Sequence, residues 1–334
     1  MKYSVRLFSI LLILFIAAVI VFALIIGNSN PSTSEKSYSS SAIHVVTTTG
    51  MIGDVVSQIA GAHARVTVIM GSGIDPHLYT PTRNDVNALS TADLVFFHGL
   101  HLEGAMANVL EVLQKENPTN IFALAEQLSP SSLIYSEETP DPHAWMDVSL
   151  WSQTIPIIAN ILSGIDPENK NNYEANASTY QETLSALDAY VHESIRTIPE
   201  AHRIVITAHD AFSYFGEAYG ITVRGIQGLS TLSEASLERV NSLVNFIVER
   251  KIPSIFVESS VQDRYVRSLI EGAAAQGHTV SIGGSLFSDA MGHPETYRGT
   301  YVGMIDHNAT LITQALHGIP RPGGFQDLLD EEEQ

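Results

Sequence analysis

An uninterrupted amphipathic stretch in the middle of the chain restricts the fold more than any other feature. Tyr173, Ala177, Tyr180, Leu184, Leu187, Val191 and Ile195 follow one another at intervals of 4, 3, 4, 3, 4 and 4, the spacing that lines one face of an α-helix. Asp166-Pro167-Glu168 reads as the helix start. Asp can cap free amides, Pro needs no amide bond in the first turn, and Glu suits the positive end of the helix dipole. No Gly or Pro then intervenes before Pro199. The stretch predicts one helix of about 30 residues, about 45 Å long, enough to run along the side of two lobes. A coiled-coil dimer is the competing account of such a stripe. Strands resume at Arg203, which favours the linking helix and a monomer.

Strand and helix patterns alternate on both sides of that helix. Before it come His44–Thr48, Val66–Met70 and Leu94–Phe97 as strands, with helical periods at Ile52–Ile59, Val86–Ala92 and Leu102–Gln114. After it, Arg203–Thr207, Ile221–Val223, Ile255–Val257 and Thr279–Ile282 read as strands. Helical stretches lie at Ala211–Tyr219, Leu237–Val248, Asp263–Ala275 and Tyr301–Leu316. Such alternation predicts an α/β protein of two Rossmann-like lobes with parallel-rich sheets. The expected boundaries are an N-terminal lobe over 43–165, the linking helix over 166–199, a C-terminal lobe over 200–320 and an acidic tail over 321–334.

The first 42 residues follow different rules. Lys2 and Arg6 precede an apolar run from Leu7 to Ile26, about 30 Å as a helix and so as thick as a bilayer's hydrocarbon core. The run ends in Ala-Leu-Ile-Ile-Gly-Asn, a poor cleavage site, so residues 1–27 read as an uncleaved signal-anchor rather than a removed signal peptide. Residues 28–42 read as a flexible tether. Beyond Ile26 stand 15 basic and 36 acidic residues, which together with the leading positive charges places the body outside the cytoplasm. That acidity disfavours nucleic acid as a partner and concentrates cations. The chain has Cys 0, which removes disulfides, thiolate metal sites, a cysteine nucleophile and the usual lipoprotein anchor.

The chemical signal is a repeated pentapeptide. Asp75-Pro76-His77-Leu78-Tyr79 and Asp141-Pro142-His143-Ala144-Trp145 share the form Asp-Pro-His-x-aromatic. Proline fixes its own φ and restricts the residue before it, so each His sits on a stiff segment, as a metal ligand should. His209, in Thr207-Ala208-His209-Asp210, stands at the end of a predicted strand, where α/β proteins place their ligands. Asp289 follows the Gly283-Gly284 pair in a comparable position. Three imidazoles and one carboxylate suit Zn²⁺ and accept Mn²⁺ or Fe²⁺, and have too few oxygens for Ca²⁺. Two of these residues come from each lobe, which puts the ion in the inter-lobe cleft.

With these motifs the chain resembles the cluster A periplasmic or surface receptors of zinc and manganese ABC importers. Asp75–Pro81, Thr91–Glu103, Asp141–Asp147, Thr207–Phe212, Phe256–Ser260 and Phe287–Gly292 match that family's pattern in order, and the likeness spans about residues 44 to 318. The resemblance implies His77, His143, His209 and Asp289 as metal ligands. It also implies two lobes bridged by a rigid helix with small opening motions, and an ABC permease with its cytoplasmic ATPase as partners. No small organic cofactor is implied. Two departures bear on the metal: manganese-specialised members often carry Glu where this chain has His209, and zinc-specialised members often carry a His-rich loop, whereas no His lies between His101 and His143. Zinc and manganese both remain open as cargo.

Other residues carry weaker expectations. Glu103 and Glu258 would accept a hydrogen bond from a ligand His or form surface ion pairs. His98 and His101 read as structural, Phe96, Phe97, Trp145 and Trp151 as packing, and His293 would serve at most transiently in loading. The alternative functions are an extracytoplasmic metal-dependent hydrolase, with Asp210 or Glu258 as its base, and a surface adhesin that retains the fold.

Overall fold

The structure, a computed structural model, describes residues 42–329. The expected anchor, all but the last residue of the tether and the end of the acidic tail lie outside the described residues. In the first half, β1 (Ile43–Thr49), α1 (Gly50–Ala60), β2 (Ala64–Met70), α2 (Arg83–Thr91), β3 (Leu94–Phe97), α3 (Ala107–Glu116) and β4 (Ile121–Ala123) follow in turn. A short hairpin of β5 (Tyr135–Ser136) and β6 (Thr139–Pro140) precedes α4 (Val148–Ser152) and α5 (Thr154–Ile165). The long helix α6 is Lys170–Arg196. The second half runs β7 (Ile204–Thr207), α7 (Ser213–Tyr219), β8 (Thr222–Gly225), α8 (Leu237–Arg250), β9 (Ser254–Glu258), α9 (Arg264–Ala275), β10 (Ser281–Leu286) and α10 (Tyr301–Ala315).

All the larger ladders are parallel. The first sheet has the order β2-β1-β3-β4. In the second half β7 pairs with β8 and β9 with β10, and β7 lies beside β9, which repeats the same order. In each half the first strand therefore has a neighbour on either side that leaves it by a crossover, the arrangement that opens a crevice at the carboxyl ends.

Each strand feeds two cores at once, as parallel strands covered on both faces must. Along β3, Leu94 and Phe96 join a central core while Val95 and Phe97 face a second one with Leu89 and Leu110. Along β7, Val205 joins that same central core and Ile204 and Ile206 face a third with Leu243 and Leu269. The central core is common to both halves. It contains Val55 and Ile158 of the first half, Phe256 and Ile312 of the second, and every stripe residue of α6 from Tyr173 to Ile195.

Helix α6 packs on α1, α4 and α5 of the first half and on α10 of the second. Its start differs from the expectation. Pro167–Asn169 forms a 3-10 turn and α6 begins at Lys170. Asp166 stands ahead of the α6 N-cap, Asn169, and its carboxylate accepts from Tyr173 Oη and Asn169 Nδ2, both at 2.7 Å. The expected helix Leu102–Gln114 also starts late, at Ala107, because Gly104 turns through a positive φ of 46° and Gly104–Met106 forms a 3-10 turn.

Leu184 lies in the middle of α6 and is fully buried. Replacing Leu184 with Ala should cost about 2–5 kcal/mol. Because the core is shared, urea unfolding should stay one transition, with tryptophan fluorescence and far-UV circular dichroism coincident. A second transition would show that the halves unfold separately.

Candidate metal centre

The four residues singled out in the sequence meet at one point. One donor atom from each of His77, His143, His209 and Asp289 lies within 4.8 Å of every other, and all four side chains are buried. Asp289 Oδ2 lies 3.1 Å from His209 Nε2 and 3.8 Å from His77 Nε2, and Oδ1 lies 3.4 Å from His143 Nε2. A tetrahedral ion with ligands at about 2.0–2.2 Å separates neighbouring donors by about 3.3–3.6 Å, so these spacings suit one ion. The three Nε2 atoms and both Asp289 oxygens have no hydrogen-bond partner. Buried polar atoms almost always have one, and five orphans around a common centre mark a place for a cation.

Local chain chemistry aims each ring. In both Asp-Pro-His segments the Asp Oδ1 accepts the His backbone amide two residues on, at 2.9 Å in each. The two segments then diverge. Asp141 Oδ1 also takes His143 Nδ1 at 2.7 Å, whereas Asp75 Oδ2 accepts Thr231 Oγ1 from the second half at 2.6 Å. His209 follows β7, and Glu258, the last residue of neighbouring β9, accepts both its backbone amide at 2.9 Å and its Nδ1 at 2.6 Å. A carboxylate only accepts, so Nδ1 of His143 and of His209 carries a proton, and loss of the second proton from either ring leaves the Nε2 lone pair facing the centre.

Bonds across the cleft tie the ligand-bearing segments together. Trp145 Nε1 donates to Ser288 O, beside Asp289, at 3.0 Å, and Tyr301 Oη donates to Trp145 O at 2.7 Å. Tyr214 Oη donates to Asp141 O at 2.9 Å and accepts the Ile134 amide at 3.0 Å. Trp145 therefore does more than the packing expected of it: its ring also stands edge-on to His143, with centroids 5.3 Å apart.

Burial and charge oppose each other inside the cage. For His77 burial dominates and pushes the imidazole down to about 4. For His143 burial also acts downward, but the charges of Asp141 and Asp289 outweigh it and hold the ring up at about 9. His209 is likewise raised, burial being overcome by Asp289 and Glu258. Asp289 stays well below the usual carboxylate range, because the cationic rings of His209 and His143 outweigh its burial. Protons on two imidazoles thus take the role a metal cation would otherwise fill.

The other candidates separate. Glu258 is buried and holds His209 through its amide and Nδ1, so it forms the expected bond to an imidazole and not a surface ion pair. Glu103 touches no ligand ring; it accepts the His98 and Gly99 amides and Thr48 Oγ1, and burial lifts it to about 7. His98 is buried and His101 exposed, and neither belongs to the cage. His293 is exposed, and its Nδ1 accepts the Glu295 amide. Asp210 accepts Ser213 Oγ at 2.9 Å. Sequence reasoning valued Asp141 only for stiffness. Its position two residues before a His, where an Asp side chain naturally closes on the backbone, was the available signal for its orienting bond.

Two parallel-sheet lobes closing on three imidazoles and a carboxylate define the class as two-lobed α/β proteins with an inter-lobe metal cage. The family model described as the periplasmic zinc-uptake complex component A matches residues 45–315. The zinc-binding protein TroA of Treponema pallidum is 42% identical over 301 residues, 90% of this chain and 97% of its own length. The manganese-binding lipoprotein MntA of Bacillus subtilis is 43% identical over 276 residues, 82% and 90% of the two chains. The solved structure of periplasmic zinc-binding TroA from Treponema pallidum superposes with a TM-score of 0.79 at 43% identity, covering 82% of this chain and 99% of that one. The chain belongs to the zinc-uptake component A family.

The electrostatics make the metal-free protein testable. Imidazole NMR should find His143 doubly protonated at pH 7 and titrating near 9, and His77 neutral down to about pH 4. The His143 value lies above the ordinary imidazole value of 6.5. Its proton therefore stabilises the metal-free fold fully below about pH 6.5, and that contribution is lost as pH rises through about 9. A His143 signal already neutral at pH 7 would contradict this charge balance.

Proposed function

We propose that this protein is an extracytoplasmic receptor that captures Zn²⁺ or Mn²⁺ and delivers it to an ABC permease driven by a cytoplasmic ATPase. The observation that carries the reading is the set of five unpartnered donor atoms, drawn from both halves and aimed at one centre. His77, His143, His209 and Asp289 are its ligands. Relatives named as zinc-binding and manganese-binding proteins support both metals as cargo. Intrinsic preference ranks zinc above manganese and iron on such ligands, while metal supply decides which ion is carried.

Capture fits the site better than hydrolysis. Hydrolysis needs a base beside a metal-bound water and an open coordination position. Both Glu258 oxygens are engaged by His209 and Asp210 faces Ser213, so neither expected base is free. Four protein ligands already complete a tetrahedral shell. The site is complete within one chain, so a monomer suffices.

Delivery requires the receptor to stay at the membrane. Several relatives are named lipoproteins, yet none of these 334 residues is Cys, so no thiol within them can carry a lipid. The apolar run Leu7–Ile26 supplies the anchor instead, with residues 28–42 as tether and the acidic body outside. An adhesin role would leave metal binding intact and transport absent.

Titration of the metal-stripped protein with Zn²⁺ or Mn²⁺ should show one tight equivalent that raises the thermal midpoint, since a ligand bound only by the folded state stabilises it by mass action. His143→Ala should abolish most of that rise; an unchanged titration would remove His143 from the ligand set. Calorimetry in buffers of different ionisation enthalpy should show binding at pH 7 releasing about two protons, because the cation displaces those held by His143 and His209. Affinity should accordingly weaken as the pH falls. Metal-dependent turnover of ester or phosphate substrates would favour the hydrolase.

A further inference from the structure

We infer that the turn from His98 to Gly104 is a shared brace that fixes the separation of His77 and His143, with His98 as a positioning residue for metal capture. The inference rests on the metal-receptor reading and adds residues that do not themselves reach the ion.

The turn follows β3 and touches both Asp-Pro-His segments. At its start, His98 Nε2 meets Pro142 O at 2.5 Å, within the segment that carries His143. Proline has no amide hydrogen, so Pro142 itself can be held by hydrogen bonds only through this carbonyl. The carbonyl also accepts the Ala144 amide at 2.8 Å, which leaves the His98 ring to act as donor. The ring is fully buried, stacked on Trp151 with centroids 5.7 Å apart and edge-on to Trp145 at 4.9 Å. Burial pushes its pKa down to about 3, so it donates as a neutral group with its proton on Nε2.

At its end the turn meets the other segment. Gly104 has φ +46° and packs so closely that a Cβ there would collide with the His77 carbonyl oxygen. Between the two contacts the backbone is held in a conformation that L-residues disfavour: Leu100 and His101 both have positive φ. Buried Glu103 sustains it by accepting the His98 and Gly99 amides, and Glu126 by accepting the Leu100 amide. A strained segment kept in place by a buried carboxylate, with one end on each ligand segment, is suited to setting a distance. The effect is to fix the cage width before an ion arrives.

The test compares His98→Gln with His98→Met in the full chain in detergent. Gln places an amide donor near the position of Nε2, and Met fills similar volume without a donor. Zn²⁺ affinity is measured by chelator competition, the ligand field by the visible spectrum of the Co²⁺-loaded protein, and folding by the metal-free thermal midpoint. The expected result is near-wild-type affinity and spectrum for His98→Gln. His98→Met should bind Zn²⁺ about tenfold more weakly, the lower end of the range for groups that orient a ligand, with an altered Co²⁺ spectrum. Equal affinity and equal spectra in the Gln and Met variants would overturn the brace.

Gly104→Ala carries the test from the other end. It should weaken Zn²⁺ binding and alter the Co²⁺ spectrum by moving the His77 backbone, whether or not the His98 variants fold. Unchanged affinity in Gly104→Ala would likewise overturn the inference. Wild-type protein that binds no equivalent of Zn²⁺ or Mn²⁺ would instead overturn the receptor reading itself.

Discussion

A carboxylate and three imidazole nitrogens held in a dry interior without partners create the constraint that the surrounding structure answers. Stripping a charged group of water costs several kcal/mol even after relaxation, and the fully buried Asp289 has only the facing rings to compensate it. The protein meets that cost by controlling tautomers. Asp141 and Glu258 each take a Nδ1 proton, so the second proton of each ring sits on the nitrogen aimed at Asp289 and its departure exposes a lone pair there. The cage is thereby electron-rich and geometrically fixed, and a divalent cation is the one simple species that satisfies all its atoms together.

Motifs whose chemistry is local were legible in the sequence. The duplicated Asp-Pro-His predicted two rings on stiff segments, and both segments close the same Asp-to-amide bond. His209 and Asp289 were legible through strand ends, because parallel strands deliver their following loops to one crevice. The α6 stripe was legible because nothing breaks its period, and all seven of its residues are buried.

What could not be read depends on partners far away in the chain. Glu258 was recognised as an acidic group near a strand end, but its bond to a residue 49 positions earlier follows only from β9 lying beside β7. Val148–Ile165 shows no single apolar face, with Pro156 in its middle, yet it forms two core helices. The late start of α3 has a similar origin. Leu102, Met106, Val109, Leu110 and Leu113 do carry a helical period, but Gly104 takes a positive φ against the His77 carbonyl and a 3-10 turn delays the helix to Ala107. A tertiary demand overrode local propensity there, as it does most often beside functional sites.

The shared core also limits how such a cage can exchange its contents. Two lobes with separate cores can hinge about a flexible connection; here Val55, Ile158, Phe256, Ile312 and the α6 stripe belong to one apolar body, so rotation of one half would tear its own interior. The ties across the cleft are uneven. On the inner side Trp145, Tyr301 and Tyr214, all buried, donate to main-chain carbonyls of the ligand segments or their neighbours. Toward solvent, Asp75 and Thr231 meet through one side-chain bond, bordering a hollow of about 390 Å³ lined by Leu78, Gln227, Ser260 and Arg264. A local displacement on the Thr231 side of that bond breaks one hydrogen bond and leaves the His77 backbone packed against Gly104, whereas one on the Trp145 side breaks several. Small loop movement on the solvent side, with the body left rigid, is the motion the packing costs least.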